Sequence, residues 1–154
     1  MSRHDTARIL YVEASATCQA TLRRLVALID ARSEVVCAGS IAEAKALLAA
    51  MPVDMILLDN ALPDGRGADF AMEIASDLRF AGTPLALLSD WPSPFMYAKA
   101  KAARALAVLP KDEVNVAALR QLLGAAGIVP PRPDEGRDGR FAPVPVRRRR
   151  TAAA

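Results

Sequence analysis

The sequence predicts an α/β protein in which five parallel strands form a sheet with helices on both faces. Five short apolar runs alternate along the chain with segments whose apolar residues recur at helical spacing. The runs are apolar throughout, which is typical of strands that are buried on both sides. The chain has 154 residues, of which 53% are hydrophobic, and this is enough for one domain with a substantial core.

Each predicted strand is a run of four apolar residues bounded by polar or turn residues. The runs occupy residues 9–12, 35–38, 55–58, 85–88 and 106–109. Asp59 ends the third run and is followed by Leu62-Pro63-Asp64-Gly65, which has the composition of a turn. A carboxylate at the carboxyl end of such a strand lies where open α/β sheets bind their ligands.

A helix is predicted after each strand. Ser40 and Glu43 have the spacing of a capping box and mark the start of the second helix. The fourth helix, at about residues 94–104, is rich in alanine and has only a weak apolar stripe. The other four stripes consist of Cys18, Leu22, Leu25, Val26 and Ile29; of Ile41, Ala44, Leu48 and Met51; of Phe70, Ile74 and Leu78; and of Val116, Leu119, Leu122 and Leu123.

The alternation of strands and helices also predicts the order of the strands. Five such units in about 125 residues fit a flavodoxin-like, doubly wound parallel sheet with the order 2-1-3-4-5. Right-handed crossovers then bring the ends of the first and third strands side by side. We therefore predict a folded domain over residues 7–127.

The basic character of the chain comes from its last segment. From Pro130 onward there are seven arginines and three acidic residues, so this segment has a net charge of +4. The whole chain has a formal charge of +3, so residues 1–129 have a net charge of −1. Few aliphatic residues and many prolines predict that residues 128–154 form a disordered tail. The tail is a solvated extension or a contact for nucleic acid or an acidic protein; attachment to a membrane surface is disfavoured because no apolar anchor accompanies the charges.

Several classes of protein are disfavoured by the composition. The two cysteines, Cys18 and Cys37, lack the spacing of a metal or redox site and are predicted to be buried free thiols of a reducing compartment. No signal peptide and no apolar run of bilayer length is present, so we expect a cytoplasmic protein without a membrane span. The turn at residues 13–17 has no glycine, which disfavours a nucleotide- or flavin-binding enzyme.

Polar residues with distinct chemistry follow the carboxyl ends of four predicted strands. The topology should gather them at one edge of the sheet, and together they provide what phosphoryl transfer to a carboxylate requires. Asp59 would attack phosphorus and form an acyl phosphate. Lys111 would hold a phosphoryl oxygen as a point charge, and Ser89 would donate a hydrogen bond to another. A divalent cation would be held by Asp59, by Glu13 and by a backbone carbonyl near Ala61.

Other roles remain open for Ser89 and Glu13, and also for Asp90, which directly follows Ser89. Ser89 could cap the loop that follows it, and Glu13 could cap the first helix, whose N-terminus favours acidic residues. Asp90 could be a solvated loop residue or a further metal ligand. The sequence does not choose between these roles.

Four segments resemble the receiver domain of two-component response regulators, in the order that this family has them. They are residues 12–13, 57–67, 88–89 and 109–112, and the resemblance covers about residues 7–127. The segment at residues 109–112 has the form often found ahead of DNA-binding output domains. The resemblance implies Asp59 as the phosphoacceptor, Mg²⁺ as the cofactor, and a histidine kinase or phosphotransfer protein as the phosphoryl donor.

Three positions depart from the pattern of that family. Ala14 stands where a second acidic residue usually contacts magnesium, so we expect weak Mg²⁺ binding. Asp90 stands where a small residue usually follows the switch hydroxyl, and it could replace the missing acid or repel phosphate. Val108 stands where an aromatic residue usually moves inward on activation.

Two hypotheses follow from the resemblance and its departures. The first is a single-domain response regulator that signals through its helix-four to strand-five face to a downstream protein, with a homodimer left open. No independent enzyme is expected, beyond self-catalysed phosphorylation and dephosphorylation of the aspartate. The alternative is a degenerate receiver that acts as an interaction module without phosphorylation.

Overall fold

The computed structural model describes residues 6–130, which form a parallel sheet between two layers of helices. The strands are β1 (Arg8–Val12), β2 (Glu34–Ala38), β3 (Met55–Asp59), β4 (Ala61–Leu62), β5 (Gly65–Arg66), β6 (Leu85–Ser89) and β7 (Val108–Pro110). The helices are α1 (Ala16–Ile29), α2 (Ile41–Ala50), α3 (Gly67–Ser76), α4 (Pro94–Ala102) and α5 (Val116–Ala125), with a 3₁₀ turn at Lys111–Glu113.

The large sheet has the order β2-β1-β3-β6-β7, and each neighbouring pair is parallel. In sequence order these are strands 2-1-3-4-5, so the predicted fold class and strand order are confirmed. The short antiparallel hairpin of β4 and β5, which follows β3, was not predicted.

Side chains of the central strands alternate between two separate cores. Those of Leu10, Ile56 and Leu87 pack with α2, α3 and α4, whereas their strand neighbours Ile9 and Leu57 pack with α1 and α5. β3 is buried at every position. A strand covered on both faces explains why its sequence is continuously apolar up to Asp59.

Other details differ from the sequence-based expectations. The last strand spans Val108–Pro110 and not residues 106–109. α3 ends at Ser76, and Leu78 lies in the following turn and is 95% exposed, so it does not belong to the apolar stripe. The helix ends early because the backbone of Asp77 is extended. Cys18 and Cys37 are free thiols, as predicted, but both are partly exposed and not fully buried.

The folded part continues slightly beyond Gly127. Ile128 and Val129 still pack against the core between the sheet and the α1 and α5 layer. The predicted tail lies outside the described residues from 131 onward, and its role stays a prediction. Among residues 6–130, no helix combines the length and apolarity required to cross a bilayer.

The backbone at the start of α3 lies very close to the backbone at the end of β3. A Cβ atom built on Gly67 would lie 2.0 Å from the carbonyl oxygen of Asp59. The amide of Gly67 also donates a hydrogen bond of 3.0 Å to the carbonyl of Asn60. Only glycine therefore fits at the first position of α3 while the helix stays docked on the strand end.

We expect Gly67→Ala to lower the free energy of unfolding by about 2 kcal/mol or more, because the new methyl group must push the helix from the strand. Gly124→Ala is the matched control. Gly124 lies in α5 with open space around it, so alanine there should stabilise the protein by up to about 1 kcal/mol. Urea unfolding of both variants measures the two effects, and equal stabilities would contradict the expectation.

Candidate functional site

The candidate site lies where β1 and β3 end side by side. The register pairs Tyr11 with Leu57 and Val12 with Leu58. The next pair along the same register is Glu13 and Asp59. Both carboxylates are buried, with only 3% of Glu13 and 4% of Asp59 exposed, and two like charges in such a position require a cation nearby.

Lys111 supplies that cation. Lys111 begins the 3₁₀ turn after β7 and is separated from Glu13 by 98 positions in the sequence. Its Nζ lies 2.7 Å from Oε2 of Glu13 and 3.3 Å from Oδ1 of Asp59. The sheet therefore brings together three of the predicted site residues in one buried cluster of ion pairs.

Burial is the main reason why the pKa of Asp59 lies above its usual range, and the neighbouring charge of Glu13 raises it further. The Lys111 ammonium and the backbone amide of Ala61 act in the opposite direction but do not cancel the shift. Burial alone would lower the pKa of Lys111, yet its hydrogen bond to Glu13 and the charges of both carboxylates raise it overall. Lys111 thus stays charged in the site.

Glu13 is held by contacts to both of its carboxylate oxygens. Oε1 accepts from the backbone amide of Ser15 at 3.0 Å, and Ser15 in turn caps α1 by accepting from the amide of Cys18. Oε2 accepts from Lys111 and also from the hydroxyl of Tyr11, at 3.3 Å. Glu13 therefore contacts both Lys111 and the amide of Ser15, which is the N-cap residue of α1; its role as a metal ligand stays a prediction.

Tyr11 is the contact that sequence reasoning missed. Residues i and i+2 of a strand lie on the same face, so a tyrosine two positions before a site carboxylate could have been identified as its neighbour. The ring is buried, with 3% of the residue exposed.

The segment after Asp59 is tied to two helices. The side chain of Asn60 accepts from the amide of Ala68 in the first turn of α3, at 3.0 Å. The carboxylate of Asp64 accepts from the amides of Ile41 and Ala42, at 2.8 and 2.9 Å, and these bonds lower the pKa of Asp64. Both side chains thus satisfy backbone amides that a helix N-terminus leaves free.

Ser89 ends β6 and is buried, with 6% of the residue exposed. Its Oγ accepts from the backbone amide of Trp91 at 3.2 Å, so it also supports the loop that follows. Trp91 is 82% exposed. The neighbouring Asp90 is exposed as well, whereas Glu13 and Asp59 are buried.

The chemistry of the donor set fits a magnesium ion that keeps much of its water. Mg²⁺ is usually bound through one or two carboxylates, with water completing its coordination, and Glu13 and Asp59 provide two. Ala61, at the start of the β4 hairpin, is exposed and could add its carbonyl. Within residues 6–130, no three acidic, histidine or cysteine side chains form a metal-binding group, so Asp90 does not complete one.

We expect Asp59→Asn to raise the free energy of unfolding at neutral pH by about 0.5–2 kcal/mol, because it removes a buried charge while Lys111 keeps Glu13 as its partner. The raised pKa of Asp59 means that the folded wild-type protein takes up a proton before the unfolded chain does as the pH falls. The free energy of unfolding of the wild type therefore rises as the pH falls from the raised pKa of folded Asp59 to the lower pKa of this group in the unfolded chain. Urea unfolding should show the advantage of the variant shrinking in acid; a constant advantage would contradict this assignment.

Comparison with known proteins agrees with this geometry. The chain has the fold of the signal receiver domain of a DNA-binding response regulator from Colwellia psychrerythraea 34H, with a TM-score of 0.71 at 17% identity over 77% of this chain and 96% of the other. A two-component response regulator from Legionella pneumophila gives a TM-score of 0.71 at 17% identity, over 80% and 99% of the two chains. Identities this low show the shared fold alone.

The chemotaxis response regulator CheY4 of Vibrio cholerae is 25% identical over 79% of this chain and 98% of its own, with a TM-score of 0.67. No curated protein matches the sequence. The model of the response regulator receiver domain family matches residues 9–124, which include every residue of the ion cluster and the large sheet except Arg8 at the start of β1. The chain therefore belongs to the receiver domain family of two-component response regulators.

Proposed function

We propose that this protein is a response regulator that acts in the cytoplasm and accepts a phosphoryl group on Asp59. The donor is a histidine kinase or a phosphotransfer protein, and the output is contact with a downstream protein. The buried arrangement of Asp59, Glu13 and Lys111 supports the proposal. It combines a nucleophilic oxygen with an ammonium group at the edge of the sheet where such folds bind ligands.

In the proposed reaction, a carboxylate oxygen of Asp59 forms a bond to phosphorus. The bond between phosphorus and the donor breaks, and its electron pair stays on the donor atom. Lys111 leaves its place between the two acids and pairs with a phosphoryl oxygen, while the hydroxyl of Ser89 donates to another. A magnesium ion held by Glu13, Asp59 and the carbonyl of Ala61 would offset the negative charge that gathers there.

The raised pKa of Asp59 is consistent with this role. A carboxylate that burial destabilises gains from any new cation or hydrogen-bond donor that enters with the phosphoryl group. The proposed activity is limited to self-catalysed phosphorylation and dephosphorylation of Asp59. We propose no independent enzymatic activity.

A second candidate function is an interaction module that works without phosphorylation. It is favoured by Ala14, which offers no side-chain oxygen to a cation. It is also favoured because no three acidic, histidine or cysteine side chains within residues 6–130 come close enough to hold a metal ion. Val108 is buried in β7 and is stiff at its first side-chain torsion. Because this residue is a valine, an aromatic switch is absent at position 108.

Phosphorylation can be measured directly. Incubation with acetyl phosphate and Mg²⁺ should add one phosphoryl group to the wild type, as read by intact mass. Asp59→Ala should add none. Asp112→Ala is the matched control, because Asp112 is an exposed carboxylate next to Lys111, and it should still be labelled. An unlabelled wild type would favour the interaction module, whereas a labelled Asp59→Ala would show that Asp59 is not the phosphoacceptor.

Ala14→Asp tests the cause of the weak metal site that we expect. Ala14 directly follows Glu13 and is exposed, so a carboxylate fits there without repacking the core. One additional oxygen ligand should tighten Mg²⁺ binding by about tenfold or more, since ligand charge and number set the affinity of such sites. Calorimetry or amide chemical shifts can follow the titration; an unchanged affinity would show that Ala14 is not the limiting departure.

A further inference from the structure

The hydroxyl of Tyr11 is buried directly against Glu13, and no step of the proposed reaction uses it. It donates to Oε2 of Glu13 at 3.3 Å, and this same oxygen accepts from Lys111 at 2.7 Å. A tyrosine hydroxyl is protonated at neutral pH and therefore acts as the donor in this contact.

The two donors occupy the hydrogen-bonding capacity of this oxygen. A carboxylate oxygen has about two lone-pair directions, and Tyr11 and Lys111 take both of those on Oε2. The other oxygen accepts from Ser15. Glu13 must therefore give up a contact before Oε2 can face a cation.

We propose that Tyr11 is a positioning residue, which holds the carboxylate of Glu13 against Lys111 and so weakens the binding of Mg²⁺ to the site. This inference rests on the proposed function, because it concerns the cation of that same site. Its consequence is a receiver whose cation affinity is set by two features: the ligand missing at Ala14 and the hydrogen bond from Tyr11.

The direction of the effect follows from solvation. Tyr11 and Glu13 are each only 3% exposed, so little water can replace a lost phenol hydroxyl. A buried carboxylate oxygen with one donor fewer is less well stabilised and gains more from a positive charge. A divalent ion interacts with it more strongly than the single charge of Lys111 does. Loss of the hydroxyl therefore shifts Glu13 from Lys111 toward Mg²⁺.

The experiment compares Tyr11→Phe with Tyr97→Phe in the full chain. Tyr11→Phe keeps the buried ring and removes only the hydroxyl. Tyr97, the other tyrosine, lies half-buried on α4 and is the matched control. Titration with MgCl₂, followed by amide chemical shifts, should show binding about fivefold tighter for Tyr11→Phe, since the lost bond was made to a charged group. Tyr97→Phe should bind as the wild type does.

A second measurement reads the position of Glu13 without any metal. The amide of Ser15 donates to Glu13, so its proton chemical shift reports where the carboxylate lies. This shift should move in metal-free Tyr11→Phe and stay in place in Tyr97→Phe. Thermal unfolding of both variants verifies that they are folded.

Equal or weaker Mg²⁺ binding by folded Tyr11→Phe would overturn the inference. An unmoved Ser15 amide would also overturn it, as would the absence of measurable Mg²⁺ binding in both the wild type and Tyr11→Phe. None of these measurements depends on phosphate. An unlabelled Asp59 in the acetyl phosphate assay together with tighter binding by Tyr11→Phe would refute the proposed function and leave this inference standing.

Discussion

The ammonium of Lys111 between two buried carboxylates is the interaction on which the site depends. Glu13 and Asp59 could not both stay charged at the end of a covered sheet without a cation, because burial and mutual repulsion each favour the neutral acids. The contact spans 98 positions of sequence, so it exists only when the whole sheet has formed. Removal of the ammonium would leave two uncompensated charges, which is among the costliest defects in a protein interior.

The remainder of the fold serves to place these three groups. The register of β1 on β3 sets the two acids side by side, and Gly67 lets α3 approach the backbone of Asp59. Asn60 and Asp64 then tie the intervening loop to two helix N-termini. The segment that follows Asp59 is therefore held by polar contacts to the starts of α2 and α3.

The sequence predicted the sheet, its order and the three clustered residues because these depend on local patterns and on the handedness of crossovers. Asp59 and Lys111 each stand at a strand end with a distinctive neighbourhood, so their meeting could be predicted. Strand alternation would also have placed Tyr11 on the same face as Glu13. The contact of Asp64 with the start of α2 could not be predicted in this way, because it joins two loops that no local pattern relates. Leu78 was misplaced because helical periodicity does not mark where α3 ends.

The support that Ser89 gives to the Trp91 amide has a practical consequence. The chain contains a single tryptophan, its indole faces solvent, and its backbone is hydrogen-bonded to the hydroxyl at the end of β6. Any event that draws this hydroxyl elsewhere must release the loop and alter the surroundings of the ring. The protein thus carries an intrinsic fluorophore whose backbone is one hydrogen bond away from Ser89, and its emission can follow changes at this hydroxyl in real time and without a label.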